Sequence, residues 1–407
     1  MNFFKGPIGV ALGGLVNTIS IVMGGFLPIP ILLHLGGVEV YERYVVFIAY
    51  VGILSFASLM FPQQFADQVA QDKSNSGATF FKVLGIQAML VVSIAAVLIA
   101  VAAPSSSEVL IWAILFTFTR TASFTLASGF SGIRHEWFDK GVLSSAQHLV
   151  PAIGALCMVW IWPGASLFSI LVVLSGSLLL LTFFIAIGVG VLKFHLKASP
   201  LKEILAGNVI LFLVFNVTSV AWLAYPVVVD AYFADFALAE YSVMFKIFTF
   251  MSSFLTPILL VFWTRLRHLD LSESQAKRVG LSSLLVVVGL LIWQGLLYLY
   301  LDQLMDLLGY IGGRSVGGDA ILALAVFGVV RPFANLCMML VARLKSSIHA
   351  LSRLGFGELM VWVIIFFIMS FSGSNSYELF FTVGFISSAL VTVLVSLSIL
   401  VTTNRDC

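Results

Sequence analysis

The chain is 407 residues long, 60% hydrophobic and only 10% charged, with a net charge of +2 and a mean hydropathy of +1.10. Soluble domains carry roughly 25% charged residues, so this composition excludes a soluble globular protein and describes a chain that crosses a membrane many times. The small net charge gives no ground for a nucleic-acid partner, and three cysteines without CxxC or metal-type spacing suggest neither a disulfide framework nor a metal site.

A run of about 20 apolar residues crosses the roughly 30 Å of bilayer hydrocarbon. The first such run follows MNFFKGPIGV and is too long for the apolar core of a signal peptide, so it is read as a spanning helix near 7–34. Five more follow near 43–65, 80–103, 108–130, 141–163 and 166–192. A second set falls near 207–233, 239–264, 280–301, 320–342, 354–372 and 377–402. The expected fold class is therefore an all-α polytopic membrane protein of about 12 transmembrane helices. The basic stretch KFHLKASPLKEILAGN splits it into an N-terminal six-helix lobe (1–192), a cytoplasmic linker (193–206) and a C-terminal six-helix lobe (207–407). An even split gives both halves one orientation, as in parallel-repeat transporters.

The basic residues orient the spans. Alternate loops on one side receive sixteen of the 21 lysines and arginines, the other side receives Arg43 and Arg314, and Arg120, Lys246 and Arg331 fall inside spans. The positive-inside rule then puts both termini in the cytoplasm. No loop is long enough for a domain, so the function lies within or across the bilayer.

Arg120 in the fourth span and Arg331 in the tenth each lie about a dozen residues, on the order of 18 Å, from the outer face. Both are too deep to snorkel, whereas Lys246 in the eighth span sits nearer the outer end. The fourth and tenth helices hold equivalent slots in the two halves, which makes the arginines expected symmetry mates facing one central cavity. Thr117 and Thr121 fall on the Arg120 face, Ser242 and Thr249 on the Lys246 face, and Asn335 lies one turn from Arg331. A charge in hydrocarbon costs at least about 2.5–3.5 kcal/mol, so such a set is a candidate anion-binding site unless each cation has a structural partner. His148, Asp230 and Glu358 are the candidate ion-coupling groups, although a satisfied structural histidine is the commoner case. No catalytic constellation or cofactor motif is seen, and the reading is a transporter, not an enzyme.

The first-to-second-span passage LLHLGGVEVYERYVVFIAYVGILS (32–55) and its later counterpart FADFALAEYSVMFKIFTFMSSFLTPI (233–258) carry a family resemblance. The chain resembles the polysaccharide-transport, or Wzx-type O-antigen flippase, branch of the multidrug/oligosaccharidyl-lipid/polysaccharide exporter superfamily. In that branch a leucine-glycine turn precedes an acidic residue and a tyrosine at the head of the second helix. The eighth helix often opens with alanine-x-tyrosine and carries a positive or polar residue about a turn and a half later, matched here by Tyr241 and Lys246. The resemblance implies two six-helix lobes around a central cavity in a bacterial inner membrane. Its usual cargo is an undecaprenyl-pyrophosphate-linked oligosaccharide, with membrane lipids and polysaccharide-assembly proteins as candidate partners. Arg120, Lys246 and Arg331 would then meet the pyrophosphate, which arginine and lysine clamp well. A drug exporter of the same superfamily is the nearest rival, but its often cationic cargo favours acids in the cavity. A major-facilitator sugar transporter lacks support in the loop QQFADQVAQDKSNSGAT. An O-antigen polymerase would carry arginine and histidine in a large outer loop, and the stretch 302–319 has one arginine and no histidine.

Overall fold

The structure, a computed structural model, describes residues 7–58, 61–71, 76–102, 107–133, 135, 137–161, 165–193, 223–233, 236–250, 273–310, 315–344, 360–365, 367–368 and 377–403. All regular structure among them is helical. In the first half these elements are α1 (Pro7–Phe26), α2 (Pro28–Leu54), a 3-10 turn (Ser55–Ser58), α3 (Phe61–Gln71), α4 (Ser76–Ala102), α5 (Ser107–Gly132), a π-helix (Trp137–Ser144), α6 (Ser145–Trp160) and α7 (Leu167–Val189). The second half supplies α8 (Leu223–Tyr232), α9 (238–250), α10 (Glu273–Leu299), α11 (Leu301–Leu307), α12 (Gly318–Leu344), a helical piece at 360–365 and α13 (Tyr377–Thr403).

Six helical stretches among the described residues are long and apolar enough to cross a membrane, or seven if the pair Val286–Leu299 and Leu301–Leu307, bent by 67°, is one span. The first of the six, Leu12–Ser58, has 47 residues, about twice what one crossing needs. It is divided at Gly37, whose φ of 78° and ψ of 177° leave helical geometry in a region that glycine tolerates without a Cβ penalty. Side chains on these helices face outward as apolar groups, Met89 at 74% exposure and Phe184 at 67% among them. In water such a surface would aggregate, and in lipid it is the solvated face.

Several boundaries differ from the sequence expectation: α1 stops at Phe26 and α2 already starts at Pro28, where spans are expected near 7–34 and 43–65. The span expected at 43–65 stops being α-helical at Leu54, and a separate helix starts at Phe61, next to Pro62. Proline has no N–H for the ladder, and the hydroxyls of Ser55 and Ser58 take up the carbonyls of Val51 and Ser55 at 2.6 and 2.7 Å. The fifth span begins as a π-helix, and Ser145 Oγ at the start of α6 donates back to its Lys140 carbonyl at 2.7 Å.

The described helices fall into two compact units. In the first, α1 to α7 pack together with α8, although residues 207–233 are expected to open the second lobe. The seat for α8 is Gly52 of α2, where a Cβ would lie 2.9 Å from a methyl of Leu223. The core of this unit joins α3, α4, α5 and α7 through Phe65, Phe80, Leu126, Phe130 and Val191. Gly190 closes α7 in a left-handed cap, and Lys193 N donates to Ser76 Oγ at 3.0 Å, which ties the end of α7 to the start of α4.

The second unit contains α9 to α13 and is built on aromatic packing. Phe245 of α9, Phe327 of α12 and Phe385 of α13 lie 5.5 to 5.7 Å apart, with Trp362 5.2 Å from Phe385. One end is clasped by carboxylates. Glu240, 1% exposed, accepts from Ser315 N at 2.9 Å, from Ser315 Oγ and from Val316 N at 3.3 Å. Glu378 accepts from Ala237 N at 3.2 Å. Thr382 Oγ1 donates to the Glu378 carbonyl, so Tyr241 OH is the donor in its 2.7 Å bond to Thr382. Glu240→Gln turns one acceptor oxygen into an NH2 group facing N–H donors. Each buried group left unpaired costs about 1–3 kcal/mol, so the variant is expected to melt several degrees lower in detergent than wild type. An unchanged melting temperature would remove the clasp from the account.

Candidate functional site

Arg120 answers to three neutral groups in the first unit. Its Nη2 lies 3.3 Å from His148 Nδ1 on α6, its guanidinium carbon sits 5.4 Å from the Phe124 ring centroid, and Tyr44 of α2 is within electrostatic range. Each contact follows from helix geometry. Phe124 is one turn along α5 from Arg120 and shares its face. α6 is registered by Gln147, next to His148, which accepts from Ser175 Oγ of α7 at 3.1 Å. Ser175 in turn meets Thr119 of α5 at 3.1 Å, so the three helices are cross-linked by polar groups beside the arginine. α1 presses on α6 from behind, with Gly24 against the His148 carbonyl.

Magnitudes decide what these neighbours do. A desolvated cation–π contact is worth about 2 kcal/mol and a hydrogen bond to a charged group about 1.5–3 kcal/mol. Together, at roughly 3.5–5 kcal/mol, they cover the insertion cost of about 2.5–3.5 kcal/mol, so the arginine is held without an acid. Among the described residues no carboxylate lies within ion-pair distance of Arg120, and its Nε is buried without a hydrogen-bond partner.

The other expected residues are distributed as follows. Thr117 is fully buried with its hydroxyl unpaired, and the Thr121 hydroxyl donates to the Thr117 carbonyl at 2.8 Å. His148 is joined to Arg120 as described, while Asp230, exposed near the end of α8, is in electrostatic range of Tyr50. In the second unit Arg331 is partly buried, its guanidinium carbon 5.7 Å from the Phe245 ring centroid and 5.9 Å from that of Phe327. Lys246, partly buried, follows Phe245 on α9, with Ser242 and Thr249 buried on the same helix and the Thr249 hydroxyl bonded to the Phe245 carbonyl at 2.6 Å. Asn335 belongs to α12, but its side chain lies outside the described residues, as does the whole of Glu358.

The sequence reading did not anticipate the aromatic rings against both arginines. The signal was present, since Arg120 and Phe124, like Phe327 and Arg331, are four residues apart on one helix. Tyr44 and His148 could not be placed beside Arg120 that way, because they come from other helices.

No protein-family model and no curated protein matches the sequence. Solved structures do match. The crystal structure of MATE in complex with MaL6 aligns at a TM-score of 0.58 and 13% identity over 99% of each chain. A multidrug resistance MATE family transporter of the MOP superfamily aligns in its inward-facing conformation at 0.56 and 15% identity, over 97% of this chain and 96% of that one. An outward-facing conformation of such a transporter aligns at 0.54 and 14%, over 100% and 99%. At these identities the likeness is one of fold, and along its whole length this chain has the fold of the MATE transporters.

Proposed function

We propose that this protein is an exporter that works by alternating access and carries an anionic, lipid-linked oligosaccharide across a bacterial inner membrane, with both termini in the cytoplasm. The observation that carries the cargo class is the charge of Arg120, held by a histidine and an aromatic ring with no carboxylate at ion-pair distance among the described residues. A pyrophosphate headgroup is a strong anion that accepts bidentate bonds from a guanidinium. Arg331 and Lys246 add membrane-embedded cations in the second unit. Support for alternating access is the fold, which in MATE transporters has been seen both inward-facing and outward-facing.

A second reading, export of drugs, is favoured by the likeness to multidrug resistance MATE transporters. One experiment separates the two. Deletion of the coding sequence from its bacterial host is expected to remove surface polysaccharide and leave drug susceptibility unchanged. Expression in a host stripped of drug efflux is expected to confer no resistance. Normal surface polysaccharide in the deletion strain, together with a gain of resistance on expression, would reverse the assignment.

A further inference from the structure

We propose that His148 and Arg120 form a proton-linked anion site, in which an anion bound at Arg120 is accompanied by uptake of one proton on His148. The proposal rests on the anionic-cargo reading and adds the residue that links cargo to protons.

A guanidinium carries only donors, so the 3.3 Å contact requires His148 Nδ1 to be an unprotonated acceptor and puts the ring hydrogen on Nε2. A proton on Nδ1 would set N–H against N–H and one cation against another. The pair in its resting form therefore excludes that proton. An anion seated beside Arg120 changes the balance, because it accepts from the guanidinium and from Nδ1–H together. The ring then turns from acceptor to donor without moving to another helix. Phe124 keeps both groups in place, its ring centroid 5.0 Å from the imidazole and 5.4 Å from the Arg120 guanidinium carbon. Arg120 Nε has no hydrogen-bond partner among the described residues, so no acceptor there competes with the anion for the guanidinium. His148 and Arg120 are both only partly buried, so neither is sealed.

The surroundings leave the linkage to this pair. The elements packed on α6 are α1, α2, α5, α7 and the π-helix. α1 and α7 have no titratable residue. α2 carries His34, Glu39, Glu42 and Arg43, with Glu39 paired to Arg43, and three tyrosines of which Tyr44 is in electrostatic range of Arg120; α5 contributes Arg120 itself, with Glu108 at its exposed start bonded to Trp112. The π-helix carries exposed Lys140 and buried Asp139, whose carboxylate accepts from Ser131 and Ser144. Among the described residues no carboxylate bonds to either member of the pair. Linkage is reciprocal, so if the anion draws a proton onto His148, lower pH must tighten anion binding.

Radiolabelled sulfate is the probe, because its charge is constant across neutral pH and any pH dependence belongs to the protein. Binding to the purified full chain is expected to tighten by up to about tenfold for each unit of pH lowered, the slope of one proton per anion. Sulfate added in weak buffer is expected to raise the pH by up to one proton taken up per site. His148→Gln keeps an acceptor for Arg120 and cannot titrate, so both effects vanish while sulfate still binds; His148→Asn serves if that variant fails to fold. Arg120-dependent binding with a flat pH profile and no proton uptake overturns the linkage and leaves the anion site standing. A His148→Gln protein that keeps the wild-type slope also overturns it, by moving the proton elsewhere. Absence of Arg120-dependent binding at every pH overturns the anion site, and the cargo reading with it.

Discussion

Arg120→Ala is expected to abolish surface polysaccharide in cells while the protein still inserts and purifies as a monodisperse species. The two halves of that expectation have separate physical grounds. Among the described residues Arg120 has no acidic partner, so removing it leaves no stranded buried charge there, and folding loses the His148 bond and the contact with Phe124. Those losses amount to roughly 3.5–5 kcal/mol, and the departing guanidinium relieves a desolvation cost of at least about 2.5–3.5 kcal/mol, so the net loss is small. Export, in contrast, loses the group that offers parallel donors to a diphosphate. Arg120→Lys keeps the charge but not the planar fork, so a partial recovery, well short of wild type, is expected. Thr117→Asp tests the sign of the site without touching the arginine, because a carboxylate one turn away would neutralise it and impair transport. Complementation of the deletion strain, scored by polysaccharide on gels, reads all three. Wild-type polysaccharide from Arg120→Ala would make the arginine a structural residue and leave the cargo without a recognition site.

The spans were legible because their signal is composition over about 20 residues, which survives any error in detail. The structure places helices at Ser107–Gly132 and Tyr377–Thr403 where apolar runs were expected at 108–130 and 377–402. Breaks inside spans were harder. Pro62 and Gly37 were visible as residues, but whether such a residue kinks a helix or ends it depends on the packing around it, which the local sequence does not give. The place of Arg120 in the middle of an apolar helix was legible, since α5 spans Ser107–Gly132. Its actual partners were not. His148 is 28 residues away on another helix, and only the crossing of α5 and α6 brings the ring nitrogen to the guanidinium. The Glu240 clasp is hidden for the same reason, since its donors are 75 and 76 residues further along the chain. Sequence periodicity gives faces, whereas sites of this kind are made where faces from different helices meet.

The second large effect is expected at Gly24, which sets one of those meetings. A Cβ built on Gly24 would lie 1.8 Å from the carbonyl oxygen of His148 and 2.8 Å from its carbonyl carbon. Both are backbone atoms inside α6, so no side-chain rotation relieves the overlap. Gly24→Ala therefore forces α1 and α6 apart by roughly the shortfall from a normal contact of about 3.5 Å. Overpacking commonly costs about 1–3 kcal/mol and more where backbone must shift, so this variant is expected at or above the top of that range. Gly25→Ala is the control, because nothing lies within 4 Å of its Cβ position and alanine is the better helix former. Thermal unfolding in detergent should show Gly24→Ala several degrees below wild type or absent from the folded fraction, with Gly25→Ala unchanged. The same overlap falls on the residue that meets Arg120, so any folded Gly24→Ala protein is expected to show an altered pH dependence of sulfate binding. Wild-type stability for Gly24→Ala would mean that α1 does not meet α6 at this carbonyl, and the support for the position of His148 would be gone.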